Sequence, residues 1–521
     1  MYFLLNPLIF LNLQDIKLYL YRIIFLLKLI SINAMSMKNK ILLLLFLPLL
    51  FGCNGWLNVT PQSEVDEEDL FADGEGYRNS LNGVYSRISE SDMYAQQLTW
   101  GFMDVLAQYY NFDKMNQYGA YPKAYKGDYD NSEVKGILES IWQGAYKSIA
   151  NCNNLIQNID KADVTKFLGR EGEKNMLKGE ALALRAFLHF DLLRLFAPVA
   201  VELNGDKTGY VPVNDNNEYL PYCETHPAMF QKRENVQGYL DKVIRDLKDA
   251  KTLLATFDTV SSVRKDQLRT TNRLLGTAGA VEDLFYCFRG FRMNYYAVTA
   301  MLARVYNYKG ELQLAAEQAQ EVIDNGSFPV KGDYAKPKQY EDVIFALSNR
   351  KLTELFEAYY TGTNKVLCVS NTALNKILGS DTYDYRGYYH MQNLDGANKV
   401  SKKYLPVSSD QGTIPNEIIP IIRTSEMQYI AGEYYAFIKD YATAASRITV
   451  VKQASGAYTP VTVQSLEDYH KAWLNDAYRT FIGEGQLFFL YKKLGTEFYS
   501  GMKDGAFVFE IPDSEDVTLN Q

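Results

Sequence analysis

The chain has 521 residues, carries a formal net charge of −8 and is 47% hydrophobic and 22% charged. That is ordinary globular composition, long enough for one large domain or a few small ones, and its acidity argues against a nucleic-acid partner, which needs a basic face. Aromatic residues are abundant, with 40 Tyr, 27 Phe and 4 Trp, which suits both helix packing and surfaces that grip amphipathic ligands.

The first element is an apolar run, ILLLLFLPLLF, from Ile41 to Phe51. A membrane-spanning helix needs ~20 residues, so the run is too short to cross a bilayer. Met37-Lys38-Asn39-Lys40 supplies a basic flank before it and Gly52-Cys53 follows it, the layout of a secretory signal. Residues 37–52 are therefore read as a lipoprotein signal peptide, with cleavage before Cys53 and a diacylglyceryl group on its thiol. The other reading is a buried helix with a packing cysteine. Residues 1–36 are apolar but interrupted by Asp15, Lys17, Arg22 and Lys28. Each such charge costs ~2.5–3.5 kcal/mol at a bilayer centre on the insertion scale. They are read as an extension upstream of a true start at Met35 or Met37, the alternative being an extra membrane helix.

Residues 54–70 look like an extended acidic tether, with 66–69 forming an N-cap and first helical turn. Spaced apolar residues predict a helix over 72–88. From 134 to 159, Ile141, Trp142, Ala145, Ile149, Cys152, Ile156 and Ile159 recur at three- and four-residue steps and mark one buried face. The stretch 172–196 is apolar nearly all round, so it should be buried on more than one side, with Asp191 and Arg194 spaced to pair, His189 a hydrogen-bonded core residue and Pro198 ending the helix. A helix of twelve to fifteen residues is expected to end near Leu254. Next, Leu302, Ala303, Tyr306, Gly310, Ala315, Ala319 and Val322 fall on the spacing of a tetratricopeptide repeat, a helix–turn–helix unit of about 34 residues. One such unit cannot bury its own face and must stack on others. Periodicity fades from 328 to 420, where Gly, Asn, Asp, Ser and Tyr dominate, so long loops with a few short strands are expected. Helices return at 424–439 and 465–481, and the tail AFVFEIPDSEDV looks like a strand. The fold expected is mainly α: tetratricopeptide-like pairs stacked as a scaffold over about 70–330 and 421–482, with a loop-rich, ligand-facing part over about 331–420, all in one domain from 53 to 521.

Catalytic and cofactor signatures are missing. Neither GxGxxG, GxxxxGK[ST] nor HExxH occurs, and His189, His226, His390 and His470 are far apart in sequence, so no metal site, triad or cofactor is expected. NDNNE at 214–218 offers oxygen ligands for calcium in a crowded loop, but its spacing is not that of an EF-hand. The cysteines other than Cys53 are scattered, which predicts few or no disulfides. The positive signals are tyrosines in loops. Tyr109, Tyr110, Tyr118, Tyr121, Tyr125 and Tyr129 form one group; Tyr383, Tyr385, Tyr388 and Tyr389 surround Arg386 and His390 in another. Aromatic faces stack on the C–H faces of sugars, and polar neighbours bond the hydroxyls, unless the rings simply pin the loops to the helices. The candidate ligand-binding residues are Trp100, Tyr109, Tyr125, Tyr383, Tyr385, Arg386 and Tyr388.

Several ordered segments together resemble the SusD/RagB family. CNGWLNVTPQSEVDEEDLFADGEGYRNSLNGVYSRI is similar to its mature N-terminus. IWQGAYKSIANCNNLIQNI, GEALALRAFLHFDLLRLFAPV and LARVYNYKGELQLAAEQAQEVI resemble its helical core, and IIPIIRTSEMQYIAGE and FIGEGQLFFLYKKLG its C-terminal signatures. Where family members often carry Arg-Leu-Ala-Glu, this chain has Arg423-Thr424-Ser425-Glu426. The resemblance implies a surface-exposed outer-membrane lipoprotein of Bacteroidetes type, anchored through Cys53, that captures glycans or peptides without catalysis and passes them to a SusC-like TonB-dependent transporter. Protein-scaffold and glycosidase roles are the alternatives.

Overall fold

In the computed structural model, chain order and packing order coincide for eight helices. They are α1 (Gly74–Ile88), α2 (Ser132–Lys161), α3 (Arg170–Phe196), α4 (Val236–Asp258), α5 (Tyr295–Lys309), α6 (Leu312–Asn325), α7 (Thr424–Phe437) and α8 (Tyr441–Ala454). Each packs on the next, and α1, α3, α5 and α7 also touch in succession. The result is four stacked helical hairpins, in which the first helix of each pair faces both its partner and the neighbouring pairs. Burial follows. Every residue of α3 from Gly179 to Phe196 is buried, whereas α2 buries one face, including all seven residues picked out by periodicity. Two further helices, α9 (Leu466–Thr480) and α10 (Leu487–Leu494), close the stack.

Side chains set the helix starts. Asp73, Asn131, Asn235, Asn294, Asp440 and Ser465 each accept a backbone N–H of the first turn. Gly310 ends α5 at φ +83°, a left-handed cap that lets the chain reverse into α6. Buried polar groups tie the pairs together. Arg185 of α3 donates to Asp246 of α4 at 2.7 Å, Arg304 of α5 grips Glu426 of α7 at 2.6 Å, and His189 bonds the Tyr239 hydroxyl at 2.5 Å. Asp191 and Arg194 pair within α3.

Strands are short and antiparallel. β1 (Val201–Leu203) pairs with β2 (Tyr210–Pro212), and β3 (Leu220–Pro221) with β4 (Arg233–Glu234). β5 (Val343–Ser348) pairs with β9 (Ile418–Arg423), from Val343 opposite Arg423 to Ser348 opposite Ile418, and β9 runs straight into α7. The last sheet has the order β6 (Val369–Ser370), β8 (Asn398–Ser401), β7 (Met391–Asp395). Among the described residues the main apolar core runs from Phe71 to Phe509, with a small second cluster around Leu274, Val343 and Ile418.

The structure describes residues 67–115, 119–213, 216–227, 231–276, 281–325, 327–360, 367–381, 383–406, 416–497, 502 and 505–513. Cys53 and its signal, Tyr118, and Asn214 and Asp215 of the 214–218 segment lie outside them. The chain from Leu70 onward is one compact unit; of the other, which ends at Asp69, only its last three residues are described. Among the described residues no group of three His, Cys, Asp or Glu could hold a metal ion, and no helix is long and apolar enough to cross a membrane.

Three sequence expectations need correction. The helix expected to end near Leu254 is longer, because Asn235 caps it early and Phe257 and Asp258 still bury their side chains. Helices α8 and α10 were not anticipated; α8 carries a weak apolar pattern, and α10 is a short, mostly buried element. The described part of the tail, 505–513, is not a strand: it docks through the Phe509 ring, stacked on Phe488 with centroids 6.0 Å apart, and one hydrogen bond from its N–H to the Leu195 carbonyl.

A Cβ at residue 310 would meet Val201 Cγ1 at 2.8 Å in a backbone region that costs L-residues ~1–2 kcal/mol. Gly310→Ala is therefore expected to lower unfolding stability by about 2 kcal/mol in a urea titration; a loss under about 0.5 kcal/mol would contradict the turn geometry.

Candidate functional site

The loop 379–390 connects a short helix, Asn371–Leu378, to β7. Its backbone bonds are mostly to itself: the N–H groups of Asp384 and Gly387 reach Asp381 and Asp384 carbonyls, and those of Tyr389 and His390 both reach the Tyr385 carbonyl. Tight turns of this kind expose side chains, so something must fix the loop from below. That anchor is ionic. Arg386 donates to Asp384 and to Asp476 of α9, each at 2.8 Å, and to the Thr480 hydroxyl at 2.7 Å. Arg479, also on α9, reaches Asp381 at 2.8 Å and Asp384 at 3.0 Å. Lys452 of α8 adds a 3.1 Å pair with Asp381, and the Tyr429 hydroxyl of α7 donates to Asp476 at 2.5 Å. All of these charged groups are buried.

Burial alone would raise the Asp381 and Asp384 carboxyls. Hydrogen bonds from Arg479, Thr459 and Lys452 at Asp381, and the Arg386 and Arg479 charges at Asp384, more than offset it and hold both below the usual carboxylate range. His390 closes the loop as a neutral ring, its pKa lowered to about 4, chiefly by burial, and one ring nitrogen lies 2.9 Å from the Asp333 carbonyl. That contact ties in a second loop, which carries Tyr334.

Above this base stands a group of rings. Tyr334, Tyr385 and Tyr389 meet edge-to-face, with centroids 5.5–6.3 Å apart. Tyr383 lies across Gly456 from Tyr385, and Tyr458 is carried by a segment that the Ser455 carbonyl and the Thr459 N–H tie to the loop. This glycine, at φ +79°, sits so close that a Cβ would come within 2.6 Å of the Tyr383 carbonyl and 2.8 Å of the Tyr385 ring. Tyr388 follows, with the Lys399 ammonium 5.1 Å from its ring centre. Tyr334, Tyr383, Tyr388, Tyr389 and Tyr458 are the exposed tyrosines among the described residues; three lie on the loop 379–390 and the other two on the segments hydrogen-bonded to it.

The structure thus brings together Tyr383, Tyr385 and Tyr388 of the sequence candidates. Arg386 lies beneath them, with its guanidinium committed to the aspartates, so it positions the loop rather than facing a ligand. Trp100 and Tyr109 are core residues. The Trp100 indole donates to the Ala95 carbonyl at 2.6 Å and packs edge-on against Phe356, while the Tyr109 hydroxyl donates to the Tyr478 carbonyl at 2.8 Å. Tyr125 is half-buried against Phe112, with centroids 5.2 Å apart. The described members of the first tyrosine group therefore pack loops onto helices. Tyr334 and Tyr458 were not singled out in the sequence. Each is a lone aromatic among Gly, Asp, Thr and Pro, a pattern of exposed turns that could have found them.

A larger groove, about 740 Å³, lies between the end of α3, the β1–β2 hairpin, α9 and α10. Its basic groups are already used: Lys493 and His470 bond Glu433, and Lys492 donates to the Arg194 and Ala197 carbonyls. The tyrosine face is the better candidate.

Removing Arg386 would leave Asp384 and Asp476 each short of a cation in the interior. Breaking a buried pair this way costs ~3–5 kcal/mol. Arg386→Ala is expected to lose that much stability in urea, and Arg386→Lys to recover only part of it, because an ammonium cannot reproduce the fork. A loss below about 1 kcal/mol would show that the network does not hold the loop.

Residues 55–268 match the model of a SusD-like family described as starch-binding and associating with the outer membrane. SusD-like protein P2 of Formosa agariphila is 24% identical over 290 residues, a match covering 55% of this chain and 46% of that protein. Among solved structures, a SusD superfamily protein from Bacteroides thetaiotaomicron superposes with a TM-score of 0.62 at 20% identity, over 85% of this chain and 97% of the other. A SusD-like carbohydrate binding protein from Bacteroides vulgatus gives 0.60 at 17% identity, over 85% and 96%. The family model thus matches the first helical pairs, and the fold of the SusD-like structures extends over 85% of the chain.

Proposed function

We propose that this protein is a surface-exposed outer-membrane lipoprotein that binds oligosaccharides through its tyrosine face without chemical turnover. It holds to the membrane by a lipid on Cys53 and passes its ligand to a partner transporter of the SusC-like TonB-dependent type. The observation that carries the reading is that the five exposed tyrosines sit on one supported loop and the two segments hydrogen-bonded to it. Flat rings with polar tips suit the alternating C–H and hydroxyl faces of a sugar, and rings held in place before binding lose little entropy when a ligand arrives. The family description and the carbohydrate-binding relative support the ligand class. Binding rather than hydrolysis fits the chemistry below the rings: Asp381 and Asp384 are held ionised by arginines, and a glycosidase acid must carry a proton near neutral pH.

The test is affinity electrophoresis and calorimetry on a panel of soluble glycans, with peptides as a second arm. At least one glycan is expected to be retained intact. Tyr383→Ala combined with Tyr389→Ala is expected to weaken it by roughly tenfold or more, the equivalent of about 1.4 kcal/mol, with unchanged thermal stability because both rings are exposed. Retention of no glycan, or unchanged affinity in the double variant, would contradict the assignment.

A further inference from the structure

We infer that the ligand of the tyrosine face carries a negative charge, a uronate carboxylate or a sulfate ester, and that Lys399 receives it. The inference rests on the tyrosine-face reading and adds the chemical class of sugar.

Lys399 lies on β8, the middle strand of its sheet, where it is opposite Val369 on one side and Asn393 on the other. Its backbone is therefore fixed. Its side chain runs toward the tyrosine loop: the ammonium donates to the Gly387 carbonyl at 3.0 Å and lies 5.1 Å from the centre of the Tyr388 ring. Tyr388 is 44% exposed, so a ligand stacked on it comes within reach of that ammonium. The cation–π contact favours a charged ammonium there.

Among the described residues Lys399 forms no ion pair, and the surrounding carboxylates are already engaged. Asp395, on the neighbouring strand, pairs with Lys114 at 3.4 Å and accepts from Ala397 and Asn398. Asp384 is shared by Arg386 and Arg479, and Asp333 pairs with Lys336 at 3.3 Å. Partial burial lowers the Lys399 pKa, so its charge is held at a desolvation cost that an anion would relieve. This sits in a chain of net charge −8. A protein that repels anions overall gains nothing for acidic glycans from its bulk field; attraction has to come from a cation at the site, acting over a Debye length of about 8 Å at physiological salt. With its ammonium over the Tyr388 ring, Lys399 joins a charge to a stacking plane, which matches a pyranose ring with an anionic substituent.

The experiment compares three oligosaccharides of equal length by calorimetry on the intact protein: a neutral galactan, an oligogalacturonate and a sulfated galactan. At low salt, one or both anionic ligands are expected to bind roughly tenfold tighter than the neutral one, and which of them does so identifies the anion. Lys399→Met is expected to remove that advantage, so that anionic and neutral ligands bind the variant equally, and Lys399→Arg to keep most of it. Tyr388→Ala is expected to weaken neutral and anionic ligands alike. Equal affinity for all three, or a Lys399→Met variant that keeps the full preference, overturns the inference while the tyrosine face stands. Failure of every glycan to bind would overturn both.

Discussion

Two arginines, Arg386 and Arg479, share three aspartates, Asp381, Asp384 and Asp476, in the interior between α9 and the loop 379–390. Charges taken out of water are expensive, and their mutual attraction repays the cost only with good geometry and full hydrogen bonding. Here each carboxylate meets at least one guanidinium, and Thr480, Thr459 and Tyr429 bond further oxygens or nitrogens of the same groups. Such an arrangement contributes less to overall stability than an apolar core of equal volume would. Its effect is on position: few alternative arrangements satisfy all five charges, so the loop has one place to sit. The tyrosines it carries inherit that order.

The helical stack provides the other half of the constraint. Asp476, Arg479 and Thr480 stand on α9, Lys452 on α8 and Tyr429 on α7, so the network draws on three helices whose relative placement is set by hairpin packing. That packing is specified by a few buried polar ties, such as Arg304 with Glu426, and by helices like α3 and α7 that are buried almost throughout. Gly310 and Gly456 act where the chain must turn or pass close, and neither tolerates a side chain without displacement. Stack, network and rings thus form a sequence of dependencies, and a ligand meets only the last of them.

Much of the scaffold is visible in the sequence because helical periodicity is a local signal. The face of α2, the all-round burial of α3 and the turn at Gly310 follow from residues three or four apart. Helix α8 escapes because its apolar residues do not mark a clean face, and the 505–513 segment misleads because alternating phenylalanines suit docking against Phe488 as well as a strand. The site is legible only in part. A run such as Tyr383-x-Tyr385-Arg386-x-Tyr388-Tyr389 announces an aromatic loop, but burial is a tertiary property. Trp100 and Tyr109 look no different from Tyr383 as letters, yet long-range packing against Phe356 and Tyr478 removes them from the surface. Arg386 reads as a ligand contact until its partners appear, and Asp476 is 90 residues away. Tyr334 and Tyr458 come from distant segments bonded to the same loop, a convergence that spacing along the chain cannot reveal.

The central claim is that the tyrosine surface exists before any ligand arrives. Hydrogen–deuterium exchange on the free protein measures this directly, at the amides of Tyr385, Tyr389 and His390, which bond the Ser455 and Tyr385 carbonyls. Slow exchange is expected at these positions without ligand, comparable to helix α9, with little further slowing when a glycan binds. Fast exchange in the free protein that becomes slow only with ligand would contradict it, showing a loop that orders on binding rather than one held ready.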